Sequence, residues 1–264
     1  MTTEASSPIE LRRDLLQTVV LADRAALGAV AADYAATRLR ALLSGAADRR
    51  VRVIFAAAAS QAEFLDALAA ADRIDWSRVE AFHLDEYVGL LVGAEQSFGE
   101  WLERRIFSRV RPGRVEKLDP TTTDPLAECA RYGALLADGG IDLALVGIGE
   151  NGHVAFNDPH VADFNDPAVV KPVEIDEISR GQQVRDGAFA TIGEVPRLAM
   201  TVTMSTILAS RAISVVVPGS HKAWAVARTL DGPIGTACPA SALRRHPDAV
   251  LFVDEAAIAL TNRR

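Results

Sequence analysis

The chain has 264 residues, of which 49% are hydrophobic and 24% charged, and its formal net charge at pH 7 is -7. These proportions are enough for a full hydrophobic core and exclude an intrinsically disordered protein. The acidic balance argues against a general nucleic-acid binder, whose mark is a basic patch, although a few local cations can still hold an anionic substrate.

The N-terminus and the cysteines indicate a cytoplasmic protein. Residues 1–9 are small and polar, lack the basic and apolar regions of a signal peptide, and are predicted to be a flexible N-terminus. The longest apolar run, 53–59, is far shorter than the ~20 residues that span a bilayer, so no membrane partner is expected. Cys129 and Cys238 show neither metal-site spacing nor a disulfide framework and are interpreted as buried free thiols.

A long helix is the first predicted element, from about Asp23 to Leu43, because its apolar residues fall on one stripe and Gly45 marks its end. Short apolar runs then alternate with stretches of helical pattern. Strands are predicted at 51–57, 79–84, 141–146, 171–175, 198–203, 213–217 and 250–253. Further helices are predicted at 60–71, 98–110, 125–138 and 220–230.

This alternation predicts an α/β fold. Strands that alternate with helices, several of them continuous apolar runs, are typical of a mostly parallel sheet buried on both faces. We therefore predict a three-layer α/β/α, Rossmann-like arrangement in which helices cover both faces of the sheet. No repeat or linker divides the sequence, so residues 10–264 are expected to form a single domain with irregular insertions at 85–97 and 154–170. Ligands of such folds bind beyond the carboxyl ends of the strands.

The loop after the strand 141–146 contains Gly147, Gly149 and Gly152, which fit the dinucleotide-binding pattern G-x-G-x-x-G. That pattern also requires a long helix that opens at its third glycine. Here the chain continues His153-Val-Ala-Phe-Asn-Asp-Pro159, which allows little more than one helical turn. The sequence therefore disfavours a nicotinamide or flavin cofactor.

The same loop places glycines beside a histidine and a carboxylate. Gly149 and Gly152 let the main chain approach a ligand closely. His153 can take or give a proton near neutral pH, and Asp158 can fix the tautomer and orientation of its ring. The alternative is a tight turn in which His153 only satisfies a loop carbonyl, but the glycine setting favours a catalytic role.

Residues 145–159 read Leu-Val-Gly-Ile-Gly-Glu-Asn-Gly-His-Val-Ala-Phe-Asn-Asp-Pro and resemble the signature of the glucosamine-6-phosphate deaminase/isomerase family. The related 6-phosphogluconolactonases share the Gly-His pair but usually continue Ala-Ser-Leu-Phe-Pro. The Ala-Phe-Asn-Asp-Pro ending of this chain favours the deaminase side of the family. The resemblance spans about residues 20–260.

A second segment, Phe82-His-Leu-Asp-Glu-Tyr-Val-Gly-Leu90, is similar to the Asp-Glu-Tyr motif of the same family. The resemblance implies that Asp85 is the base that moves a proton between C2 and C1 of the open-chain sugar, and that Glu86 contacts the substrate. His83, Asp85 and Glu86 could instead bind a metal, but no further ligand has suitable spacing, so no metal is expected. Without the resemblance, a solvated helix cap would be the better interpretation of Asp85 and Glu86.

A third segment, Val217-Pro-Gly-Ser-His-Lys-Ala223, resembles the family's Gly-Ser-x-Lys-Ala turn, whose lysine meets the substrate phosphate. Ser220 is predicted to cap a helix with Lys222 in its first turn, where a bound anion would relieve the conflict between the cation and the helix dipole. A lysine extended into solvent is the alternative. A looser match at 180–185 implies that Arg185 also binds phosphate, as a bidentate donor.

The chain departs from the family after its first long parallel strand. Where the family usually has a Thr-Gly-Gly-Thr-Pro-like loop around the phosphate, residues 56–63 read Ala-Ala-Ala-Ala-Ser-Gln-Ala-Glu. Ser60 and Glu63 are predicted to form a capping box, but the alanines lack the freedom of glycine and Glu63 adds negative charge near the helix start. Either phosphate binds less tightly, chiefly through Ser60 and Lys222, or the substrate is a different or unphosphorylated sugar.

Two smaller departures affect the proton-transfer loop. Asn151 stands where some members of the family have an aspartate that assists ring opening, and because Asn151 cannot titrate, acid–base chemistry there falls to His153. Asp158 replaces the more usual glutamate and is one methylene shorter, so its contact with His153 is expected to need a shift of the loop. Asn151 and Asp158 are nevertheless counted with Asp85 and His153 as the catalytic group.

The resemblance implies an aldose–ketose isomerase/deaminase acting on an amino-sugar phosphate such as glucosamine-6-phosphate. It implies no metal or organic cofactor, the expected partner is a small-molecule sugar phosphate, and homo-oligomerisation stays open. A lactone hydrolase, in which His153 activates water, is the first alternative. The second is a non-catalytic sugar-phosphate sensor, disfavoured because Asp85 and His153 are retained and no helix-turn-helix segment is appended.

Overall fold

The computed structural model describes residues 9–46 and 49–262. The predicted flexible N-terminus therefore lies outside the described residues except for Ile9, which begins the first strand. In the described part of the chain the strands are β1 (Ile9–Arg13), β2 (Leu16–Leu21), β3 (Val51–Phe55), β4 (Val79–His83), β5 (Asp85–Tyr87), β6 (Arg114–Val115), β7 (Leu143–Val146), β8 (Val170–Glu174), β9 (Leu198–Val202), β10 (Ala212–Val217) and β11 (Ala249–Asp254).

The main sheet has eight strands in the order β1-β2-β11-β10-β7-β3-β4-β6. All its neighbouring pairs are parallel except β1 and β2, which form an antiparallel hairpin at one edge. Every residue of β3, β7, β10 and β11 is buried, as expected for parallel strands covered on both faces. The predicted mostly parallel sheet is confirmed.

Helices cover both faces of this sheet. They are α1 (Arg24–Gly45), α2 (Ala62–Ala70), α3 (Phe98–Leu102), α4 (Ser108–Val110), α5 (Pro125–Ala137), α6 (Glu177–Arg185), α7 (Met204–Leu208) and α8 (Ala223–Asp231). A π-helical turn, Glu103–Phe107, joins α3 to α4, so the helix predicted at 98–110 is present but not regular. The carboxylate of Asp23 accepts the backbone N–H of Ala26 and fixes the predicted start of α1.

The two faces carry separate hydrophobic clusters because successive residues of a strand point to opposite sides. Val53 and Phe55 of β3 belong to the cluster formed with α1, α2 and the segment 98–110, and the rings of Phe55 and Phe107 meet edge to face at 5.3 Å. Ile54 belongs to the opposite cluster, with α5, α7 and α8. This is the predicted three-layer α/β/α arrangement.

One part of the predicted sheet is wrong. The strands predicted at 171–175 and 198–203 do not enter the main sheet but form a separate antiparallel sheet in the order β5-β9-β8. Strand β5 follows β4 after the single residue Leu84, and its Asp85 pairs with Thr201 of β9. Apolar content alone could not separate the two sheets, since four of the five residues of β9 are buried like those of the central strands of the main sheet. The small sheet matters for function because it holds Asp85 in place.

Among the strands and α-helices of the described residues, those without a counterpart in the sequence prediction are the edge hairpin β1–β2, the short strands β5 and β6, helix α6 and helix α7. Helix α6 is polar, with four of its buried residues being Ser, Arg or Gln, so it lacks the apolar stripe by which helices are recognised. The remaining predicted strands and helices are present, with ends that differ by a few residues. The two cysteines are free and buried, as predicted.

The order of the strands reverses beside β3, because β4 follows β3 on one side whereas β7 lies on its other side and leads to β10 and β11. Open α/β sheets bind ligands at such a point, outside the carboxyl ends of the strands. Across residues 9–46 and 49–262 the structure contains no helix with the length and apolar character needed to cross a membrane.

Candidate active site

A cavity lies above the carboxyl ends of four adjacent strands, β4, β3, β7 and β10. Its walls are the alanine loop after β3, the segment after β4, the glycine loop after β7 and the turn after β10. The site residues predicted from the sequence that line it are Ser60, Asp85, Gly149, His153 and Lys222. The fold therefore brings together groups from the three segments that resemble the family motifs. The other predicted residues lie behind or beside this cavity.

His153 is held through one nitrogen of its ring. Its Nδ1 lies 3.0 Å from Oδ1 of Asp158, 2.8 Å from Oδ1 of Asn151 and 2.8 Å from Oγ of Ser179. A carboxylate and an amide oxygen can only accept, so this arrangement places the proton on Nδ1. The Nε2 atom of the neutral ring then carries a lone pair, and a histidine in that state can act as a base toward a ligand in the cavity.

Asp158 is fully buried and remains ionised. Burial raises the pKa of its carboxyl, but the hydrogen bonds from His153, Asn151 and Ser179 outweigh this and hold the pKa well below its usual range. Its second oxygen accepts the backbone N–H of Asp176 at 2.9 Å. Asp158 thus places a fixed negative charge behind His153, an arrangement that can stabilise an imidazolium.

The contact between Asp158 and His153 was expected to need a shift of the loop, and it forms directly in the structure. Between the two residues, the backbone of Ala155 has a φ of 52°. This left-handed conformation is unfavourable for a residue with a Cβ atom. The side chain of Asp158, one methylene shorter than a glutamate, thus contacts His153 across a turn whose backbone is strained at Ala155.

Asn151 links the members of this network. Its Nδ2 donates to Oδ1 of Asp158 at 2.9 Å, while its Oδ1 accepts from the backbone N–H of His153 at 3.0 Å. Ser179, which sequence reasoning missed, donates its hydroxyl to the same Asp158 oxygen. Ser179 lies on the polar helix α6, and no motif in the sequence marks it. Its partner Asp158 is the only signal that could have pointed to a donor at this place in the fold.

Two glycines of the loop are required by close approach. A Cβ atom on Gly149 would lie 2.0 Å from the ring of His153, and Gly149 also donates its N–H to the carbonyl of His153. Gly152 has a φ of 85°, and a Cβ there would lie 2.5 Å from Sγ of Cys238. Any side chain at either position would displace the histidine or strain the turn. Gly149 lines the cavity, whereas Gly152 shapes the loop from behind.

After Gly152 the structure continues as turns up to β8, without the helix that a dinucleotide-binding loop requires. In the described residues the glycine loop therefore positions His153 and does not open a dinucleotide-binding helix. This agrees with the interpretation drawn from the short stretch between Gly152 and Pro159.

Asp85 lines the cavity at the end of β4 and is almost completely buried. Burial raises the pKa of its carboxyl well above the usual range, and the nearby negative charges of Glu86 and Asp158 raise it further. A hydrogen bond from the backbone of Phe156 acts in the opposite direction. A carboxylate with a raised pKa is a stronger base, which suits the removal of a weakly acidic carbon-bound proton.

Glu86 does not line the cavity, in contrast to the substrate contact expected from the sequence. Its carboxylate accepts the backbone N–H groups of Tyr87, Phe98 and Gly99 and the hydroxyl of Ser97, at 2.6 to 3.1 Å. These donors include the first N–H groups of α3, which have no partner inside the helix. Glu86 thus anchors the start of α3 from a buried position.

The three-residue metal site considered for His83, Asp85 and Glu86 is not formed. Nε2 of His83 accepts the backbone N–H of Leu118 at 2.8 Å, and burial together with the charge of Lys117 lowers the pKa of His83 to about 3. Among residues 9–46 and 49–262, no three His, Cys, Asp or Glu side chains are grouped so that they could hold a metal ion. His83 therefore serves as a neutral structural acceptor.

The cations expected to bind phosphate occupy different environments. Lys222 is buried in the cavity wall, so the solvated alternative is wrong, and burial lowers its pKa to about 8. Arg185 lies outside the lining and is bonded to Glu150, with Nη2 2.5 Å from Oε2 and Nε 3.2 Å from Oε1. Only Lys222 therefore faces the cavity as a cation in this structure.

The two caps predicted near this site are not formed. Ser60 and Ser220 each lie in a 3₁₀ turn, and neither hydroxyl accepts a capping bond from the helix that follows. Glu63 pairs instead with Arg24, whose Nε lies 2.6 Å from Oε1. Because this pair offsets the charge of Glu63, the carboxylate is less unfavourable to an anion than the sequence suggested.

The arrangement defines an acid–base enzyme with an α/β fold. Residues 22–252 match the family described as glucosamine-6-phosphate isomerases/6-phosphogluconolactonase. The chain is 39% identical to a glucosamine-6-phosphate deaminase of Arthrobacter sp. (strain FB24) over 189 residues, 70% of each chain. The chain is also 34% identical to a glucosamine-6-phosphate deaminase of Lactobacillus delbrueckii subsp. bulgaricus (strain ATCC BAA-365 / Lb-18). That match covers 219 residues, 83% of this chain and 92% of the relative. The chain belongs to the glucosamine-6-phosphate isomerase/6-phosphogluconolactonase family.

Solved structures agree with this assignment. A monomeric glucosamine-6-phosphate deaminase matches with a TM-score of 0.83 and 28% identity, over 92% of this chain and 99% of that one. A 6-phosphogluconolactonase from Thermotoga maritima matches with a TM-score of 0.72 and 20% identity, over 90% of this chain and 98% of that one. The second likeness shows the shared fold.

Proposed function

We propose that this chain converts an amino-sugar phosphate such as glucosamine-6-phosphate, with water, to fructose-6-phosphate and ammonia. The observation that carries the proposal is the single cavity lined by Asp85 with its raised pKa, by His153 and by Lys222. The names of the relatives, glucosamine-6-phosphate deaminase, support this substrate and reaction.

Ring opening falls to His153. Its Nδ1–H is held by Asp158, Asn151 and Ser179, so Nε2 is the atom that can exchange a proton with the sugar. It takes the proton of the anomeric hydroxyl and delivers it to the ring oxygen O5, which gives the open-chain aldehyde. The fixed charge of Asp158 stabilises the transient imidazolium, and Asn151 and Ser179 prevent the ring from rotating.

Isomerisation falls to Asp85. Its carboxylate removes the proton on C2, the electrons of that C–H bond form a double bond between C1 and C2, and the π electrons of the C1 carbonyl move to O1, which takes a proton from the ammonium group of the substrate. The product is an enolamine, an enediol-type intermediate with nitrogen on C2. Return of the proton to C1 leaves an imine at C2. Water adds to this imine and ammonia leaves, so the products are the ketose phosphate and ammonia. The proton moves between neighbouring carbons on one carboxylate, and no redox partner is consumed.

Binding of the phosphate falls to Lys222 and Ser60, which both line the cavity, and the part of the cavity beside Lys222 is called the phosphate end. A buried ammonium is an effective partner for a phosphate because the surroundings screen the attraction less than water does. Ala57 and Ala58 supply the backbone of the loop where the family usually has glycine and threonine. We expect the phosphate to be held by fewer donors here than in relatives with that loop.

The described site is complete within one chain, because every group named above belongs to it. The proposed steps therefore use no residue of a second copy of the chain. The free buried cysteines and a phosphorylated substrate support the cytoplasm as the place of action.

The test is a panel assay with purified protein. Ammonia and fructose-6-phosphate formed from glucosamine-6-phosphate would support the deaminase. Opening of 6-phosphogluconolactone without ammonia release would replace it with the lactonase, in which His153 activates water. Tight binding of sugar phosphates without any product over hours would instead indicate a sensor. Thermal-shift measurements with glucosamine and glucosamine-6-phosphate identify whether the phosphate contributes to binding.

A further inference from the structure

Glu150 brings a negative charge to the phosphate end of the cavity. It lies in the glycine loop between Gly149 and Asn151, and its carboxylate makes both bonds to the guanidinium of Arg185. The side chain of Glu150 is only 17% exposed, whereas that of Arg185 is 54% exposed. The carboxylate is thus the fixed member of the pair and the arginine is the member with room to move.

The position of Glu150 is set by the backbone as well. Its N–H donates to Oε1 of Gln182 at 3.0 Å, and Gln182 lies one turn before Arg185 on α6. Helix α6 is therefore joined to the glycine loop at two places that neighbour each other. The geometry keeps the Glu150 carboxylate beside Arg185 and directs the guanidinium away from the cavity lining.

Glu150 also acts on the second cation. The negative charges of Asp186 and Glu150 both raise the pKa of Lys222, against the larger effect of its burial, while Arg185 lowers it. Among residues 9–46 and 49–262, no side chain makes a hydrogen bond or an ion pair with the ammonium of Lys222. The charges of Asp186, Glu150 and Arg185 thus all act on Lys222 from outside the cavity lining, and Glu150 is already bonded to Arg185.

A phosphate dianion that binds beside Lys222 must compete with Glu150. It gains Arg185 only if the guanidinium leaves the carboxylate, and it meets the charge of Glu150 if the guanidinium stays. We propose that Glu150 is a specificity-determining residue that withholds Arg185 from the ligand and thereby weakens binding of dianionic phosphate relative to uncharged sugar groups. This inference deepens the proposed function and rests on its assignment of the phosphate to the Lys222 end.

The proposal is tested by a double-mutant cycle with inorganic phosphate as the probe, so that it does not depend on turnover. Dissociation constants are measured by calorimetry for the wild type, Glu150→Gln, Arg185→Ala and the double variant. Glu150→Gln keeps the shape and the acceptor oxygen but removes the charge. We expect phosphate to bind about tenfold more tightly to it, a change of ~1.4 kcal/mol. Glu174→Gln, on the exposed end of β8, is the matched control and is expected to bind like the wild type.

The Arg185→Ala change shows whether tighter phosphate binding in Glu150→Gln comes from the release of Arg185 or only from the removal of a negative charge. In the wild type it is expected to weaken phosphate binding by less than about threefold, because Arg185 is held by Glu150. In the Glu150→Gln background the same change should remove the whole gain. An unchanged dissociation constant in Glu150→Gln, or an equal loss from Arg185→Ala in both backgrounds, overturns the proposal. A loss of thermal stability in Glu150→Gln without tighter phosphate binding also overturns it, since that result indicates a structural role alone.

The cycle also distinguishes this proposal from the proposed function. Tighter phosphate binding in Glu150→Gln together with no ammonia release from any amino-sugar phosphate would remove the deaminase and keep the specificity role. Ammonia release with unchanged phosphate binding would do the opposite. Where both hold, KM for glucosamine-6-phosphate should fall in Glu150→Gln by about the same factor as the phosphate constant, with little change in KM for glucosamine.

Discussion

The two ends of the active-site cavity differ in how their charges are arranged. At the proton-transfer end, Nδ1 of His153 lies within 3.0 Å of three acceptors, and Asp158 accepts further bonds behind it. At the phosphate end, Arg185 is bonded to a carboxylate of the same chain, and Lys222 is buried without a hydrogen-bond partner in the described residues. One end is fully bonded within the protein, whereas the other must exchange partners when a ligand binds.

This difference indicates which end of the cavity bears on the type of reaction and which end bears on the choice of substrate. A network in which every donor has its acceptor holds one geometry, and acid–base catalysis depends on such fixed positions. Charged groups without complementary partners can accept several ligands, and their neighbours then decide which ligand binds best. Under the proposed function, the proton-transfer end defines the type of reaction and the phosphate end defines the choice of sugar.

The largest effect is expected from Asp85→Asn, which removes the base and keeps its shape. We expect kcat for ammonia release to fall by about 10²- to 10⁴-fold, the range typical of a positioned general base. In the wild type, kcat/KM should fall as the pH is lowered through the raised pKa of Asp85, since the base acts only when ionised. This acid limb should lie above the ordinary range of an aspartate and should be absent from the variant.

The control for this change is Asp33→Asn on the exposed face of α1, which should retain full activity. Retention of wild-type turnover in Asp85→Asn would contradict the assignment of the base. Because the folded protein disfavours the charged form of Asp85, the variant should also unfold at a slightly higher temperature near neutral pH. Lower activity together with a higher unfolding temperature in Asp85→Asn would indicate that Asp85 serves the reaction at a cost in stability.

The next largest effect is expected from Asp158→Asn. The neutral amide no longer favours a proton on Nδ1 of His153, but Asn151 and Ser179 still offer acceptors there. We therefore expect a loss in kcat of about 10²-fold, less than when the base itself is removed. Steady-state kinetics at several pH values provides the measurement.

A second variant, Ser179→Ala, tests whether Asp158 is the main group that fixes His153. Ser179→Ala removes one partner of His153 and Asp158 and should cost less than Asp158→Asn. If Ser179→Ala reduced kcat as strongly as Asp158→Asn, the carboxylate would not be the main group that fixes the histidine. If neither change affected kcat, the network would be structural and His153 would not be the ring-opening group.

Changes at the phosphate end should affect binding more than turnover. Lys222→Met is expected to raise KM for glucosamine-6-phosphate by about 10- to 100-fold, because a charged hydrogen bond contributes roughly 1.5–3 kcal/mol, with a smaller effect on kcat. In the wild type, KM should rise as the pH increases through about 8, the pKa of Lys222, since the ammonium loses its charge there.

Lys222→Arg tests that pH dependence, because a guanidinium stays charged at pH 9. Its KM should change less between pH 7 and pH 9 than that of the wild type, even if the value itself is higher. A rise in KM with pH that persisted in Lys222→Met would assign the dependence to another group.

The smallest effect is expected at the turn between His153 and Asp158. Ala155→Gly should relieve the left-handed backbone and stabilise the fold by about 0.5–1 kcal/mol, the strain released less the entropy that glycine adds to the unfolded chain. Ala29→Gly on the exposed face of α1 should instead destabilise by about 1 kcal/mol. Denaturant unfolding of both variants provides the comparison, and destabilisation by Ala155→Gly would show that the turn carries no strain.

Much of the fold could be predicted because its signals are local. The seven predicted strands and five predicted helices are present, since apolar runs and helical periodicity reflect contacts that each element makes along its own length. Helix α6 was missed because its buried face is polar and packs around Asp158 and Glu150 rather than into an apolar core. The edge strand β1 was missed because none of its residues is buried, whereas β2 was missed although five of its six residues are buried.

The site could be predicted in part. Asp85, His153 and Lys222 follow β4, β7 and β10, which together with β3 are four adjacent strands of the sheet, so placing them together required only the fold and the position of each motif. Glu86 was misassigned because adjacent residues of a strand point in opposite directions, and the buried direction leads to the start of α3. The predicted caps at Ser60 and Ser220 failed because the chain forms a 3₁₀ turn before each helix.

The sequence by itself indicated the layer architecture and the motifs that contain Asp85, His153 and Lys222, because short motifs and periodic patterns carry that information. Only the tertiary structure decided the partners of these groups. Ser179 reaches Asp158 across 21 positions, and Arg185 reaches Glu150 across 35. Contacts at such separations depend on how helix α6 packs against the glycine loop, and no local pattern specifies that packing. The partner of Arg185 is therefore a property of the folded chain, and it sets the charge that a substrate meets.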